Sequence, residues 1–154
     1  MKQKRTLSLA LLLVLLTACH SAPADKPAKS SLSIADGVSM TTEKSEYPQS
    51  VRQIAVVWKN DTDKELTFGE FFSLEKLMDR QWYEAYANQE VAFHDLGFLL
   101  SPHSQDEHVY HITAYTEKME IGHYRIATGF SEVREPGDYT DYALYAEFSV
   151  VEQP

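Results

Sequence analysis

Met119-Glu-Ile-Gly-His-Tyr-Arg-Ile-Ala-Thr-Gly-Phe130 is the stretch from which the fold can be read. Gly122 marks a turn, and beyond it Tyr124, Ile126 and Phe130 recur at even spacing. Side chains of an extended strand alternate faces, so this spacing gathers three large groups on one buried face. His123 and Arg125 then point the opposite way, where an acid is the natural partner for the arginine. A glycine two residues before a tyrosine at the head of such a strand predicts a corner, with the phenol hydroxyl bonded to backbone upstream. The stretch predicts a central strand of a two-sheet antiparallel sandwich and supplies structure rather than chemistry.

Working outward, other segments carry the same period. Residues 51–59 place Ile54, Val56 and Trp58 on one face, and 142–151 place Leu144, Ala146, Phe148 and Val150 on another. Further strands are expected at 37–43, 66–77, 92–100 and 107–113, with a return at 82–86 after a hairpin loop at 78–81. In 66–77, Phe72 and Leu74 share one face and Phe71 takes the other. Asn60-Asp61-Thr62-Asp63, Ser101-Pro102-His103-Ser104 and Glu135-Pro136-Gly137-Asp138 are turn or loop compositions. Strands at roughly ten-residue spacing without an amphipathic helix predict an all-β, immunoglobulin-like antiparallel β-sandwich of about seven to eight strands.

Composition sets the limits of function. The 154 residues suffice for one ordinary domain, and 44% hydrophobic content makes it globular. Net charge is −9. Removing Lys2, Lys4 and Arg5 with an N-terminal segment that holds no acid leaves 11 cations against 23 acids, a net charge of −12. Nucleic acid is thereby a poor partner, and solubility is the plain reading of the acid excess. The single cysteine, Cys19, permits no intramolecular disulfide, so the sandwich must hold by packing.

Residues 1–18 divide into a basic start, an apolar run from Leu7 to Leu16, and small residues before Cys19. The run is too short to span a bilayer and reads as an export signal. Leu16-Thr17-Ala18-Cys19 resembles the lipobox of bacterial lipoproteins. The resemblance implies cleavage before Cys19 and its acylation with diacylglycerol and a further chain such as palmitate. Several acyl chains on one residue anchor a domain stably where one is marginal. Partners are then a membrane, through the lipid, and a protein or other envelope component. With His20 rather than Asp after the cysteine, the expected location in a diderm bacterium is the outer membrane. Residues 19–34 form the lipidated cysteine and a flexible tether rich in Ser, Ala, Pro and Lys. All eighteen aromatic residues (7 Phe, 2 Trp, 9 Tyr) lie from Tyr47 onward, so the folded domain is expected at 35–154.

Within that domain, Phe71-Phe72-Ser73-Leu74-Glu75-Lys76, then Trp82-Tyr83, Phe93-His94-Asp95-Leu96-Gly97 and Gly122-His123-Tyr124-Arg125-Ile126 follow one another in an order that resembles a bacterial immunoglobulin-like domain family. The resemblance covers most of 36–151 and implies the sandwich, on lipoproteins or extracytoplasmic parts of sensors, with no catalytic residue. Pro102-His103 stands where a Pro-Gly turn is typical of the family, and Ile121 where a proline is.

Three kinds of chemistry can be sought. A metal site would draw on His103, His108 and His111 with Asp106 and Glu107, but strand alternation sends His111 away from Asp106 and His108. A hydrolase on the sandwich would use His94 with Asp95 as general base and orienting acid, yet adjacent strand residues face apart. No cofactor motif or nucleophile elbow stands in the chain. The third candidate is a binding patch of Trp82, Tyr83, Tyr86, Tyr139, Tyr142 and Tyr145, some of which must face outward. The expected function is a membrane-anchored, non-enzymatic recognition module.

Overall fold

The computed structural model describes residues 26–28, 33–86 and 91–152. The expected signal segment 1–18 and Cys19 lie outside the described residues. The paired segments, in chain order, are β1 (Lys26–Pro27), β2 (Ser33–Ile34), β3 (Val38–Thr42), β4 (Glu46–Pro48), β5 (Gln53–Asn60) and β6 (Leu66–Gly69). They continue with β7 (Ser73–Met78), β8 (Gln81–Glu84), β9 (Gly97–Leu100), β10 (Ser104–His111), β11 (Gly122–Glu135) and β12 (Asp138–Val151). One 3₁₀ turn, Ile112–Ala114, is the only helical element among the described residues.

The larger sheet runs β1-β8-β7-β11-β12-β2. β6 continues the β7 edge of β11 and carries β9, while β4 lies along β12 parallel to it. The smaller sheet is β10-β5-β3, all antiparallel. The fold is an immunoglobulin-like sandwich in which the hairpin of β11 and β12 is the spine.

The core forms where the two inner faces meet. Ile54, Val56 and Trp58 of β5 are fully buried, as are Tyr124 and Ile126 of β11. Leu144, Ala146, Phe148 and Val150 of β12 join them, as their period predicts. Trp58 stacks on Phe68 at 4.3 Å and meets Phe130 edge-on at 6.2 Å. Each large apolar side chain so enclosed contributes about 1.5–3 kcal/mol. The corner is present too: the Tyr124 hydroxyl donates to the Glu120 carbonyl at 3.0 Å and the ring stacks on Phe148 at 5.8 Å.

Turns follow local chemistry. Asp79 and Arg80 take φ of 50° and 66°, the left-handed pair that closes a two-residue hairpin between β7 and β8. Asn60, fully buried, donates its amide to the carbonyls of Lys64 at 2.7 Å and Ser101 at 3.0 Å. Its oxygen accepts from the Thr62 amide at 3.0 Å and hydroxyl at 2.6 Å, so one side chain ties two turns together.

Several boundaries differ from expectation. The strand expected at 66–77 is broken into β6 and β7, because each pairs with a different part of β11, at 130–132 and 124–127. The strand expected at 92–100 begins only at Gly97, and Leu96 is exposed. The C-terminal strand starts earlier, at Asp138, because Pro136-Gly137 makes a tight turn with Gly137 at φ 84° rather than a loop. Nine described segments have four or more residues; with β6 and β7 taken as one interrupted strand, eight remain. Inside the stretch expected as a tether, Lys26–Pro27 pairs with Tyr83–Glu84, and Ser33–Ile34 runs parallel to Tyr142–Ala143. These are backbone pairings at sheet edges, which need no apolar side chain.

Candidate functional site

The outer face of the large sheet carries the densest group of recognition-type side chains. Register fixes it. Arg125 lies opposite Glu147 on one side and Glu75 on the other, while Leu77 pairs with Trp82 and Ala127 with Tyr145. All of these are odd-numbered except Trp82, which the hairpin at Asp79-Arg80 returns to the same face.

The result is a cation held between two rings. The Arg125 guanidinium carbon lies 4.3 Å from the Trp82 ring centroid and 3.9 Å from that of Tyr145. Its Nε donates to Glu75 Oε2 at 2.5 Å, and the two side chains are only 15% and 8% exposed. Ring contact of this kind is worth about 0.5–2 kcal/mol, more as water is excluded. The cluster extends along β11, where the His123 ring lies 5.7 Å from Trp82 and its Nε2 is 2.9 Å from Glu147 Oε2. Among the described residues the two Nη groups of Arg125 have no hydrogen-bond partner.

Of the six aromatic residues expected as a patch, the structure therefore brings together Trp82 and Tyr145. Tyr139 shares their face but stands at the far end of the hairpin, 57% exposed opposite Val133. The other three are corrected. Tyr142 turns inward and stacks on Phe130 at 5.3 Å, as its even number next to Leu144 requires. Tyr83 falls on the face of Lys76 and Tyr124, its hydroxyl 3.1 Å from Gln81 Oε1. Tyr86 sits at φ 58° after β8 with its hydroxyl buried. Arg125 and Glu75, which organise the site, were outside the expected patch. Arg125 could be placed outward by parity, but the register that puts Trp82 beside it leaves no mark in the sequence.

The histidines separate. His103, at φ 52°, meets Asp63 at 2.8 Å in a turn. His108 is packed against the rings of Phe68, Phe98 and Tyr110 at 5.5, 4.8 and 4.8 Å, and His111 is exposed. Burial lowers the His108 pKa below that of ordinary imidazole, against the raising effect of Glu70 and Asp106, and so favours the neutral ring. Among the described residues no three His, Cys, Asp or Glu side chains gather as metal ligands. His94 lies 3.3 Å from Glu70, not on Asp95, so the expected general-base pair is not assembled. The reason is that 91–96 is irregular and turns His94 toward the end of β6.

A model of the bacterial Ig-like domain family matches residues 35–149, and the chain belongs to that family. Domains of this kind serve recognition or adhesion and are generally non-catalytic. No curated protein matches the chain. Among solved structures, the ASH / PapD-like domain of human CEP192 (PapD-like domain 7) is similar at 11% identity. That match covers 97% of this chain and 100% of the other, with a TM-score of 0.39.

Proposed function

We propose that this member of the bacterial Ig-like domain family is a lipid-anchored envelope protein that docks a protein or envelope component on the outer face around Trp82, Arg125 and Tyr145. Cys19 carries the lipid, residues beyond it bridge to the domain, and in a diderm bacterium the membrane is the outer one. The observation that carries the docking reading is the arginine held between two rings. Trp, Tyr and Arg are the side chains that most often dominate binding energy. Here the three are ordered before any partner arrives, so binding forgoes much of the usual cost of about 0.5–1.5 kcal/mol per immobilised side chain. The free Nη groups supply donors for an acceptor on the partner.

The test is one experiment with two arms on the full chain. Cys19→Ser is expected to move the protein from the membrane pellet to the soluble fraction. Cross-linked capture from envelope extract is expected to retain a partner with the wild type. The Trp82→Ala, Tyr145→Ala double variant should lose it by at least about tenfold. Equal capture by that folded variant rules out the face, and continued membrane association of Cys19→Ser rules out the anchor.

A further inference from the structure

A second surface lies on the other sheet, away from Arg125. β10 is an eight-residue edge strand that pairs with β5 from Ser104↔Asn60 to His111↔Gln53 without a register shift. Its other edge makes no backbone hydrogen bond among the described residues. Bulges, lysines and prolines, which ordinarily blunt edge strands of this length, are absent from Ser104–His111, and its two charges, Asp106 and Glu107, are both acidic, so they repel an acidic strand but not a basic one.

A cleft of about 300 Å³ accompanies this edge, lined by His108, Val109, Tyr110 and His111 on one side. Consecutive strand residues point to opposite faces, so four in a row can share a cleft only if it runs along the strand's backbone edge. The facing wall includes Glu70, Phe72 and Phe93. The cleft thus offers a row of main-chain donors and acceptors beside an aromatic hollow with a carboxylate at its rim. Asp106 and Glu107 add exposed negative charge further along β10, and no Lys or Arg stands on the strand.

We infer that β10 accepts an added strand: an extended segment of a partner protein, with an Arg or Lys side chain seated in the cleft. Main-chain bonds supply affinity in such additions and alternate side-chain pockets supply specificity. The volume is at the low end for small-ligand pockets and suits one long side chain. The aromatic lining suits the aliphatic stem of such a side chain, and Glu70 answers its charge. Among the described residues the ion-pair partner of Glu70 is His94 at 3.3 Å, an 86% exposed side chain that an incoming cation can displace. A second copy of this chain carries the same net charge of −9, which disfavours self-pairing.

Titration calorimetry of the full chain with nine-residue capped peptides tests the inference. One peptide alternates Thr and Val around a central Arg, and a second has Glu at the centre. Two further Arg peptides carry backbone N-methyl groups on alternate residues, in one phase or the other. The Arg peptide is expected to bind at least about tenfold more tightly than the Glu peptide. One N-methyl phase should abolish binding and the other should leave it intact, because successive amides of a strand point to opposite sides. Glu70→Gln should weaken the Arg peptide about tenfold, and the Trp82→Ala, Tyr145→Ala variant should bind it unchanged, which separates this surface from the outer face. The inference is overturned by no binding at millimolar peptide or by equal affinity for Arg and Glu peptides. Indifference to both N-methyl phases, butylguanidinium matching the Arg peptide, or self-association through β10 in sedimentation overturns it equally.

Discussion

Arg125 and Arg134 stand on the same strand, each beside carboxylates, and only one is enclosed. Arg125 is 15% exposed and sits between two rings; Arg134 is 44% exposed and reaches Asp138 at 2.6 Å across the hairpin end and Glu132 at 3.4 Å on its own strand. The difference comes from what lies beside β11. At Arg125, β7 and then β8 flank the strand and raise walls, whereas the last pairing with β6 is at Glu132. A count of ion pairs would rank the tip above the centre; enclosure reverses the order.

The largest effect is expected where the enclosed pair is broken. Glu75→Ala leaves Arg125 nearly buried without its acid and should lower stability by about 2–3 kcal/mol in urea unfolding. A loss no greater than that of a surface substitution would erase the contrast between the two arginines. A smaller loss, about 1 kcal/mol, is expected from Tyr124→Phe, which removes the bond to the Glu120 carbonyl on the inner side of the same strand. An unchanged urea midpoint would mean the corner is held by packing alone.

The smallest effect belongs to the tip and shows itself through pH. The Lys64 ammonium, bonded to Glu132, holds that carboxyl below its ordinary value of 4.5, with Arg134 adding to the effect. A depressed carboxylate stabilises the fold fully above its unfolded pKa and loses that contribution as pH falls through the folded value. The urea midpoints of wild type and Lys64→Ala should therefore differ by a small constant amount above the ordinary carboxyl value and converge as pH falls through the depressed one. A gap that widens on acidification would reverse the assignment.

Much of this architecture is legible in the chain. Period two alone places Ile54, Val56, Trp58, Tyr124, Ile126 and Phe148 inside and Arg125 outside. It also separates Tyr142 from Tyr145, since only one shares the parity of Leu144. What period cannot carry is which strands become neighbours. The side-chain alternation of 66–77 gives no sign that β11 will change partner between Ala127 and Phe130. Pairings made by backbone alone, such as Ser33–Ile34 along β12, write nothing into side-chain identity. The cage around Arg125 needs both parity and register, so the sequence supplied its members without their meeting.

The spine hairpin has a consequence in time. β11 and β12 follow every other described strand in chain order, yet β2, β4, β6 and β7 all pair with them. As the chain is synthesised, β2 and β4 have no partner strand until β12 exists, β6 and β7 lack their place on β11, and the pairing of Ser33 with Tyr142 closes a loop of more than a hundred residues. Only short-range pairs such as β7 with β8 and β3 with β5 can form beforehand. A sheet completed by its last-made strands makes assembly a late, non-local and slow event.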